Sequence, residues 1–395
     1  MRTNEFLGRD WIDGELDFTK EEWETLIDVS LELKRQFAMN RDQSDILKNR
    51  TLFSMFFNQS LRTRSTFAVG IQQLGGNYLE LEPGKTYTPA RKGYEIPYKT
   101  ERICDVARML SRVGDAISIR MYGPPAHWIY GFANATMKEF AEDADIPVIN
   151  MECDKYHPCQ SLADMVTVKE KFGGFKGVNF TMSWAYSGSF EKPRAVPQSV
   201  VLAAAKMGMN VTLAHPEGFE LDPEVIGHCN RFAGETGGSF KVTNDFDAGF
   251  EGAHVVYPKS WGTGSCFNYA DAAGAVTKEA DHAPARTSLE SNKDWITTAK
   301  QRAPTAKAGT HTPRPAPAPD EIEVLSDAAG LNFRDVLNAL AVYPGDAGPM
   351  GGETVGTVTA VGAAVTGFRP GDRVMAIGAG TFARHVVTKA AMARK

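Results

Sequence analysis

At 395 residues the chain exceeds the length at which one hydrophobic core keeps growing, so two or three domains are expected. Apolar residues at 43% and charged residues at 23% are ordinary for a globular protein and exclude a disordered or fibrous chain. A net charge of −5 excludes a surface built throughout to neutralise nucleic acid phosphates, while a local cluster of donors could still grip one small anion. The first predicted element is a helix. Thr19 and Glu22 have capping-box spacing, and Trp23, Leu26, Ile27, Leu31 and Leu33 follow at helical periodicity.

From there the chain alternates. Short apolar runs at residues 52–57, 116–119, 147–151, 180–185, 211–215 and 255–257 read as buried strands, and segments 101–112, 161–172 and 198–207 between them read as helices. The alternation predicts an α/β fold of two doubly wound lobes, each an open parallel sheet with helices on both faces, meeting near residues 151–161. The expected divisions are 1–155 and 156–301 for the two lobes. Residues 302–319, with the run Thr-Pro-Arg-Pro-Ala-Pro-Ala-Pro, read as a stiff extended linker. Beyond it, 320–395 is Gly- and Val-rich with short alternating stretches such as Val355-Gly-Thr-Val-Thr-Ala-Val, an all-β pattern.

No apolar run approaches the roughly 20 residues that span a bilayer, and no signal-peptide stretch follows Met1, so a cytoplasmic location is expected. The five cysteines (Cys104, Cys153, Cys159, Cys229 and Cys266) are scattered, with no Cys-x-x-Cys pair. Reduced thiols and no structural zinc are expected.

Ligands of such sheets gather beyond the carboxyl ends of strands, so polar motifs placed there carry the chemistry. Ser60-Leu61-Arg62-Thr63-Arg64 follows a predicted strand and opens a helix. The unpaired N–H groups of a helix start favour an anion, two hydroxyls add donors, and Arg62 can make bidentate bonds to phosphate oxygens. The same turn also fits a capped helix with solvent-facing arginines. Arg120 closes the strand after Ser111-Arg112-Val113-Gly114-Asp115 and is a second cation for the same anion, or an ordinary surface arginine. In His157-Pro158-Cys159-Gln160 an imidazole N–H can stabilise a carbonyl oxygen gaining charge, and Gln160 offers a donor and an acceptor to an amide. His-Pro is equally a helix start. Lys259, followed by Ser260 and Trp261 at another strand end, can pair with a carboxylate.

Four strand ends bearing anion donors in this order carry a resemblance. Residues 1 to about 301 resemble the aspartate/ornithine carbamoyltransferase family, whose phosphate turn reads Ser-x-Arg-Thr-Arg and whose later signature is His-Pro-x-Gln. With Glu82-Pro83-Gly84-Lys85, Ile149-Asn150-Met151-Glu152 and Lys259-Ser260-Trp261, they are most similar to its N-acetylornithine, knotted branch. The resemblance implies transfer of a carbamoyl group from carbamoyl phosphate to the amine of ornithine or an N-acylated ornithine, releasing phosphate, in arginine biosynthesis. It implies that Ser60, Leu61, Arg62, Thr63 and Arg120 hold the phosphate and that His157 and Gln160 hold the carbamoyl group. Thr63, Arg120 and His157 would face the developing oxyanion, and Glu152, Lys259 and Trp261 would meet the acceptor. It further implies no metal or organic cofactor and a homotrimer in which the loop around Lys85 reaches a neighbouring site, while the charge and the lack of a long apolar run lead to no expected nucleic acid or membrane partner. In the knotted branch a Pro-rich loop, matched by Ser187-Gly-Ser-Phe-Glu-Lys-Pro-Arg-Ala-Val-Pro197, is threaded by the segment leading to Lys259.

The pattern breaks near its end. The family places a His-Cys-Leu-Pro signature shortly after an Asp-Trp-x-x-Thr segment, and this chain has Asp294-Trp295-Ile296-Thr297-Thr298 followed by Arg302-Ala-Pro-Thr. Residues 320–395, through Ala329-Gly-Leu-Asn-Phe-Arg-Asp, Tyr343-Pro-Gly-Asp346 and Pro370-Gly-Asp-Arg-Val374, resemble the GroES-like part of medium-chain reductases, nearest to polyketide synthase enoyl reductases. No Gly-rich nucleotide-binding turn accompanies them, so NADPH-dependent reduction is not expected. Two alternatives therefore stand beside the transferase: a chain that binds carbamoyl phosphate without turnover, and a reductase subdomain serving as an interaction module.

Overall fold

The computed structural model describes residues 6–271, 274–296, 316–329, 352–378, 381 and 385–395. The chain divides into two units, 1–305 and 306–395. The segment Arg302-Ala-Pro-Thr, most of the expected linker and the motifs between residues 330 and 351 lie outside the described residues.

In the first unit both halves of the capping box form. Thr19 Oγ1 accepts from the Glu22 N–H at 3.2 Å and Glu22 Oε2 accepts from the Thr19 N–H at 2.7 Å, heading α1 (Lys20–Ala38). The first lobe continues through β1 (Thr51–Phe56), α2 (Arg62–Gln73), β2 (Asn77–Leu81), the short parallel pair β3 (Thr88–Ala90) and β4 (Thr100–Arg102), α3 (Ile103–Ser111), β5 (Ala116–Arg120), α4 (Phe132–Asp143) and β6 (Val148–Glu152). Its main sheet is parallel with order β2-β1-β5-β6. The chain winds from β1 outward to β2 and then returns to the other side of β1. That reversal puts a topological switch point between β1 and β5, where the start of α2 and Arg120 come side by side.

The second lobe repeats the plan with α5 (Pro158–Phe172), β7 (Asn179–Trp184), α6 (Ala195–Lys206), β8 (Asn210–Ala214), α7 (Pro223–Thr236), β9 (Ser239–Thr243), α8 (Phe246–Phe250) and β10 (Val255–Lys259). A two-stranded antiparallel pair, β11 (Tyr269–Ala270) with β12 (Val276–Lys278), and α9 (His282–Ser291) complete it. The parallel sheet has order β10-β7-β8-β9, so its switch point lies between β7 and β10.

One core runs through both lobes, from Trp23 and Ile27 through Ile117, Ile119, Met137 and Phe140 to Met182, Trp184, Leu202 and Trp261. All 12 residues of α6 are buried, as its Val-Val-Leu-Ala-Ala-Ala run requires of a helix that is apolar on every side. Strands β2 and β9 were not expected. They are sheet edges with mixed burial, so they lack the continuous apolar run that marks a strand covered on both faces.

The core also holds Glu15, fully buried in the 3-10 turn Gly14–Leu16 and hydrogen-bonded by the Ser161 hydroxyl. Burial pushes its carboxyl from an ordinary 4.5 up to about 8, with Ser161, Ser199 and Lys206 opposing. Between those values the folded chain holds a proton that the unfolded chain releases, so stability falls as pH rises through that window. Glu15→Gln is expected to flatten the fall in Tm across that range; an unchanged slope would show that another group causes it.

The second unit is an antiparallel sheet of β13 (Glu321–Ala329), β14 (Glu353–Val361), β15 (Arg373–Ile377), β16 (His385–Lys389) and β17 (Ala393–Arg394), in the order β16-β13-β14-β15-β17. Alternate residues Ile322, Val324, Val358, Val374 and Ala376 turn inward to a small core of their own, as period-two patterning dictates. No helix among the described residues is long and apolar enough to cross a membrane.

Candidate functional site

The site is assembled from strand tips. At the end of β1 the chain turns through Asn58 and Ser60 into α2, whose start has no side-chain cap, leaving first-turn N–H groups open. Asn58 fixes this turn against the tip of β5. Its Oδ1 accepts from the Tyr122 N–H at 2.9 Å and its Nδ2 donates to the Tyr122 carbonyl at 3.0 Å. Leu61 and Arg62 are exposed at the mouth, and Ser60 and Thr63 are half-buried. Arg64, the second arginine of the turn, is committed elsewhere: it pairs with Glu80 and Glu82 and lies over the Phe56 ring.

Arg120 and Glu152 are direct partners across β5 and β6, because a register shift after Ile119 brings them opposite each other. Both are nearly buried and form an ion pair, and Arg120 also donates to the Tyr122 hydroxyl at 3.0 Å. His157, just before α5, places Nε2 3.5 Å from Glu152 Oε2, and its Nδ1 is buried without a partner. Burial, with Arg120 and Lys259 adding to it, pushes the imidazole down to about 3. His157 is therefore neutral at physiological pH and has one N–H to offer. Burial lifts the Glu152 carboxyl above its ordinary value, against the opposing charges of Arg120 and Lys259.

Lys259 enters from the second lobe at the end of β10. Burial lowers its ammonium pKa, with Glu152 opposing that shift and Arg62 adding to it, so it lies within electrostatic reach of both first-lobe groups. Gln160 Nε2 donates to Asp164 Oδ1 at 3.0 Å, one turn further along α5. That bond orients the amide of Gln160.

The structure thus gathers Arg120, Glu152, His157 and Lys259 around one locus, with Arg62 at its edge. Trp261 is not on that surface. It is fully buried, and its indole N–H donates to the Phe219 carbonyl at 2.8 Å, so the side chain serves the core of the second lobe. Sequence reasoning missed Asn58 and Tyr122, which tie the two first-lobe tips together. Asn58 stands two residues before Ser60 and was a readable signal, whereas nothing marks Tyr122. Trp295 was quoted only as part of a motif, yet its carbonyl accepts from the Tyr186 N–H at 3.0 Å and its indole N–H reaches Ser183 at 3.2 Å. The chain after α9 therefore returns to the tip of β7.

A guanidinium, an open helix start and a neutral imidazole facing one point can hold an anion and polarise a carbonyl attached to it. Among the described residues no group of three or more His, Cys, Asp or Glu side chains is placed to hold a metal ion.

Residues 11–170 match the family model of the aspartate/ornithine carbamoyltransferase carbamoyl-P binding domain, and 182–308 match that of its Asp/Orn binding domain. Residues 318–395 match the alcohol dehydrogenase GroES-like domain. The chain is 37% identical over 236 residues to an N-acetylornithine carbamoyltransferase of Xylella fastidiosa, covering 58% of this chain and 69% of that protein. It is 37% identical over 246 residues to an ornithine carbamoyltransferase of Halalkalibacterium halodurans, covering 62% and 69%. A solved mutant N-acetyl-L-ornithine transcarbamylase complexed with carbamyl phosphate and N-succinyl-L-norvaline superposes with a TM-score of 0.66 at 30% identity, covering 75% of this chain and 85% of that one.

Proposed function

The chain belongs to the aspartate/ornithine carbamoyltransferase family, and on that footing we propose that it transfers the carbamoyl group of carbamoyl phosphate to the amine of an amino acid of ornithine or N-acylated ornithine type. The observation that carries this reading is the convergence of Arg120, Glu152 and His157 at the β1–β5 switch point with Lys259 approaching from the second lobe.

In this reading the phosphate rests on the first turn of α2, with Ser60, Leu61, Arg62, Thr63 and Arg120 around it. The acceptor nitrogen attacks the carbamoyl carbon and charge builds on its oxygen. Arg120, the His157 N–H and Thr63 stabilise that oxygen, the bond from carbon to the phosphate oxygen breaks, and phosphate departs with the proton that the acceptor nitrogen gives up. Gln160, held by Asp164, presents its free carbonyl oxygen to the carbamoyl NH2. Acceleration comes from positioning and charge stabilisation. Glu152 and Lys259 receive the acceptor.

The finer features of the family belong to the same proposal. Association of chains, in this proposal as a homotrimer, is favoured by an apolar groove of about 460 Å³ beside edge strand β2, lined by Phe53, Met55, Leu79, Leu81, Met109 and Val113, of which Leu79, Met109 and Val113 are exposed. The Lys85 loop, paired within itself to Glu82 at 2.8 Å, adjoins the groove. A knot is supported by the close passage of residues 260–266 along the 187–197 loop. The Gly262 N–H donates to the Lys192 carbonyl at 3.1 Å, Cys266 Sγ meets the Phe190 carbonyl at 3.4 Å, and a Cβ at position 262 would lie 2.4 Å from the Phe190 oxygen. A cytoplasmic setting and a part in arginine synthesis complete the proposal.

Phosphate release from carbamoyl phosphate, measured with ornithine, N-acetylornithine, N-succinylornithine, putrescine and aspartate, tests it. Release above spontaneous hydrolysis with an ornithine-type amine, from a sample whose solution mass equals three chains, is expected. The Arg302-Ala-Pro-Thr segment, standing where the family has His-Cys-Leu-Pro, favours a second reading as a binder. Thermal stabilisation by carbamoyl phosphate with no release for any amine would establish that reading and defeat the first.

A further inference from the structure

We propose that Glu15 and Ser199 are positioning residues for His157: the neutral acid of Glu15 braces the Ser199 hydroxyl that holds the His157 main chain, and ionising the acid releases it. This role rests on the carbamoyl phosphate site proposed above and places a proton-controlled support beneath it.

The imidazole is steered from its main chain. Its Nδ1 is buried without a partner and its Nε2 is 3.5 Å from Glu152 Oε2, so the ring takes its place largely from the backbone that carries it. The His157 N–H donates to Ser199 Oγ at 2.9 Å, a fully buried hydroxyl on α6. The 3-10 turn Gly14–Leu16 closes on the same spot. A Cβ on Gly14, whose φ is +64°, would lie 3.2 Å from Pro158 Cβ and 3.8 Å from Ser199 Oγ. Glu15 Oε1 accepts from the Ser161 hydroxyl, which also lies 2.9 Å from the Pro158 carbonyl, and Ser199 bears on the same carboxyl. Glu15 Oε2 is buried with no hydrogen-bond partner. The segment is anchored to the first lobe, where Asn134 Nδ2 donates to Asp13 Oδ1 and Asn150 Nδ2 to the Ile12 carbonyl, both at 2.8 Å. Three fully buried polar side chains, Glu15, Ser161 and Ser199, thus surround the start of α5, and the transfer chemistry uses none of them.

Burial keeps this carboxyl neutral up to about pH 8, and Lys206 of α6 is the cation that bears on it. Its other titratable neighbours are Asp13 and Asp17 in its own segment, Tyr156 and Cys159 at the start of α5, and Cys229 of α7. Burial pushes that phenol and both thiols up, and the Glu15 charge adds to each shift. Protonated, Oε2 carries a hydrogen that can be given to Ser199 Oγ, which takes the His157 N–H on its other lone pair. Ionised, the same oxygen is a desolvated charge without a donor. Lys206, whose ammonium donates to the Phe18 carbonyl, then draws the carboxylate and its turn away from Ser199, and His157 loses the brace under its main chain. The raised carboxyl value sets the sign: the positioned state is present below about pH 8 and lost above it.

Phosphonoacetamide and methylphosphonate separate the two ends of the site, since the second has the phosphonate and lacks the amide that would meet His157. Both affinities are measured by calorimetry on the full chain from about pH 7 to about pH 9, either side of the Glu15 value. In wild type the preference for phosphonoacetamide is expected to fall by about three- to tenfold across that range, the worth of one neutral hydrogen bond. Glu15→Gln, whose amide keeps the shape of the acid and does not ionise, should show no fall. Ser199→Ala should show the low preference already at the acid end of the range, with methylphosphonate bound as in wild type, which also shows that it is folded. A role in core packing alone would change Tm and leave the preference as it is. A wild-type preference that does not vary with pH, a fall retained in Glu15→Gln, or an undiminished preference in folded Ser199→Ala overturns the proposal and leaves the carbamoyl phosphate reading standing. Should Ser199→Ala not fold, the comparison of Glu15→Gln with wild type decides. Wild type that binds the two probes equally at the acid end, or binds neither, overturns both.

Discussion

Arg120→Gln is expected to weaken carbamoyl phosphate binding by about 100-fold or more and to destabilise the first unit at the same time. In the proposed site the guanidinium would supply charge-assisted hydrogen bonds to the ligand, each worth roughly 1.5–3 kcal/mol. It is also the ion-pair partner of Glu152, and both side chains are about nine-tenths buried. Removing one partner of a buried pair leaves a desolvated charge, at a cost of about 3–5 kcal/mol. The two effects separate in a double variant. Arg120→Gln with Glu152→Gln should recover much of the lost stability in thermal denaturation, since no charge is stranded, and none of the affinity in calorimetry. Affinity within a few-fold of wild type in the single variant would show that the phosphate sits elsewhere.

Trp261→Ala is expected to cost about 3–5 kcal/mol of stability, in the range for deleting a large buried aromatic. The indole is fully buried, donates to the Phe219 carbonyl at 2.8 Å, and the Trp261 carbonyl accepts from the Trp184 indole at 3.0 Å. Because the side chain points into the core, the milder Trp261→Phe should keep the KM for an ornithine-type acceptor within about threefold while lowering Tm. A large rise in the acceptor's KM with unchanged Tm would return Trp261 to the substrate surface.

That second case marks where sequence reasoning stops. A tryptophan beside a strand-end lysine reads equally as a lid over a ligand or as core, since the sequence does not say to which side the chain turns after Lys259. What was legible depends on local rules. Thr19 with Glu22 announced α1, continuous apolar runs announced the central strands, and the motif Ser60 to Arg64, Arg120, His157 and Lys259 were singled out because each stands at the end of such a run. What was not legible depends on partners distant in sequence. Arg64 was given no role, and only the fold shows it bound to Glu80 and Glu82. Glu15 has the composition of a surface residue and lies in the core because Ser161 and Ser199 meet it there. Lys192 was one charged residue in a Pro-rich loop, and only the fold shows its ammonium on Ser187, which in turn meets Ser260.

A crystal structure of the chain grown with phosphonoacetamide, a stable mimic of carbamoyl phosphate, tests the central claim most directly. One ligand is expected, its phosphonate against the first turn of α2 and Arg120 and its amide against His157 and Gln160. A ligand that touches one of these groups alone, with Arg62, Arg120 and His157 directed to separate places, would contradict it.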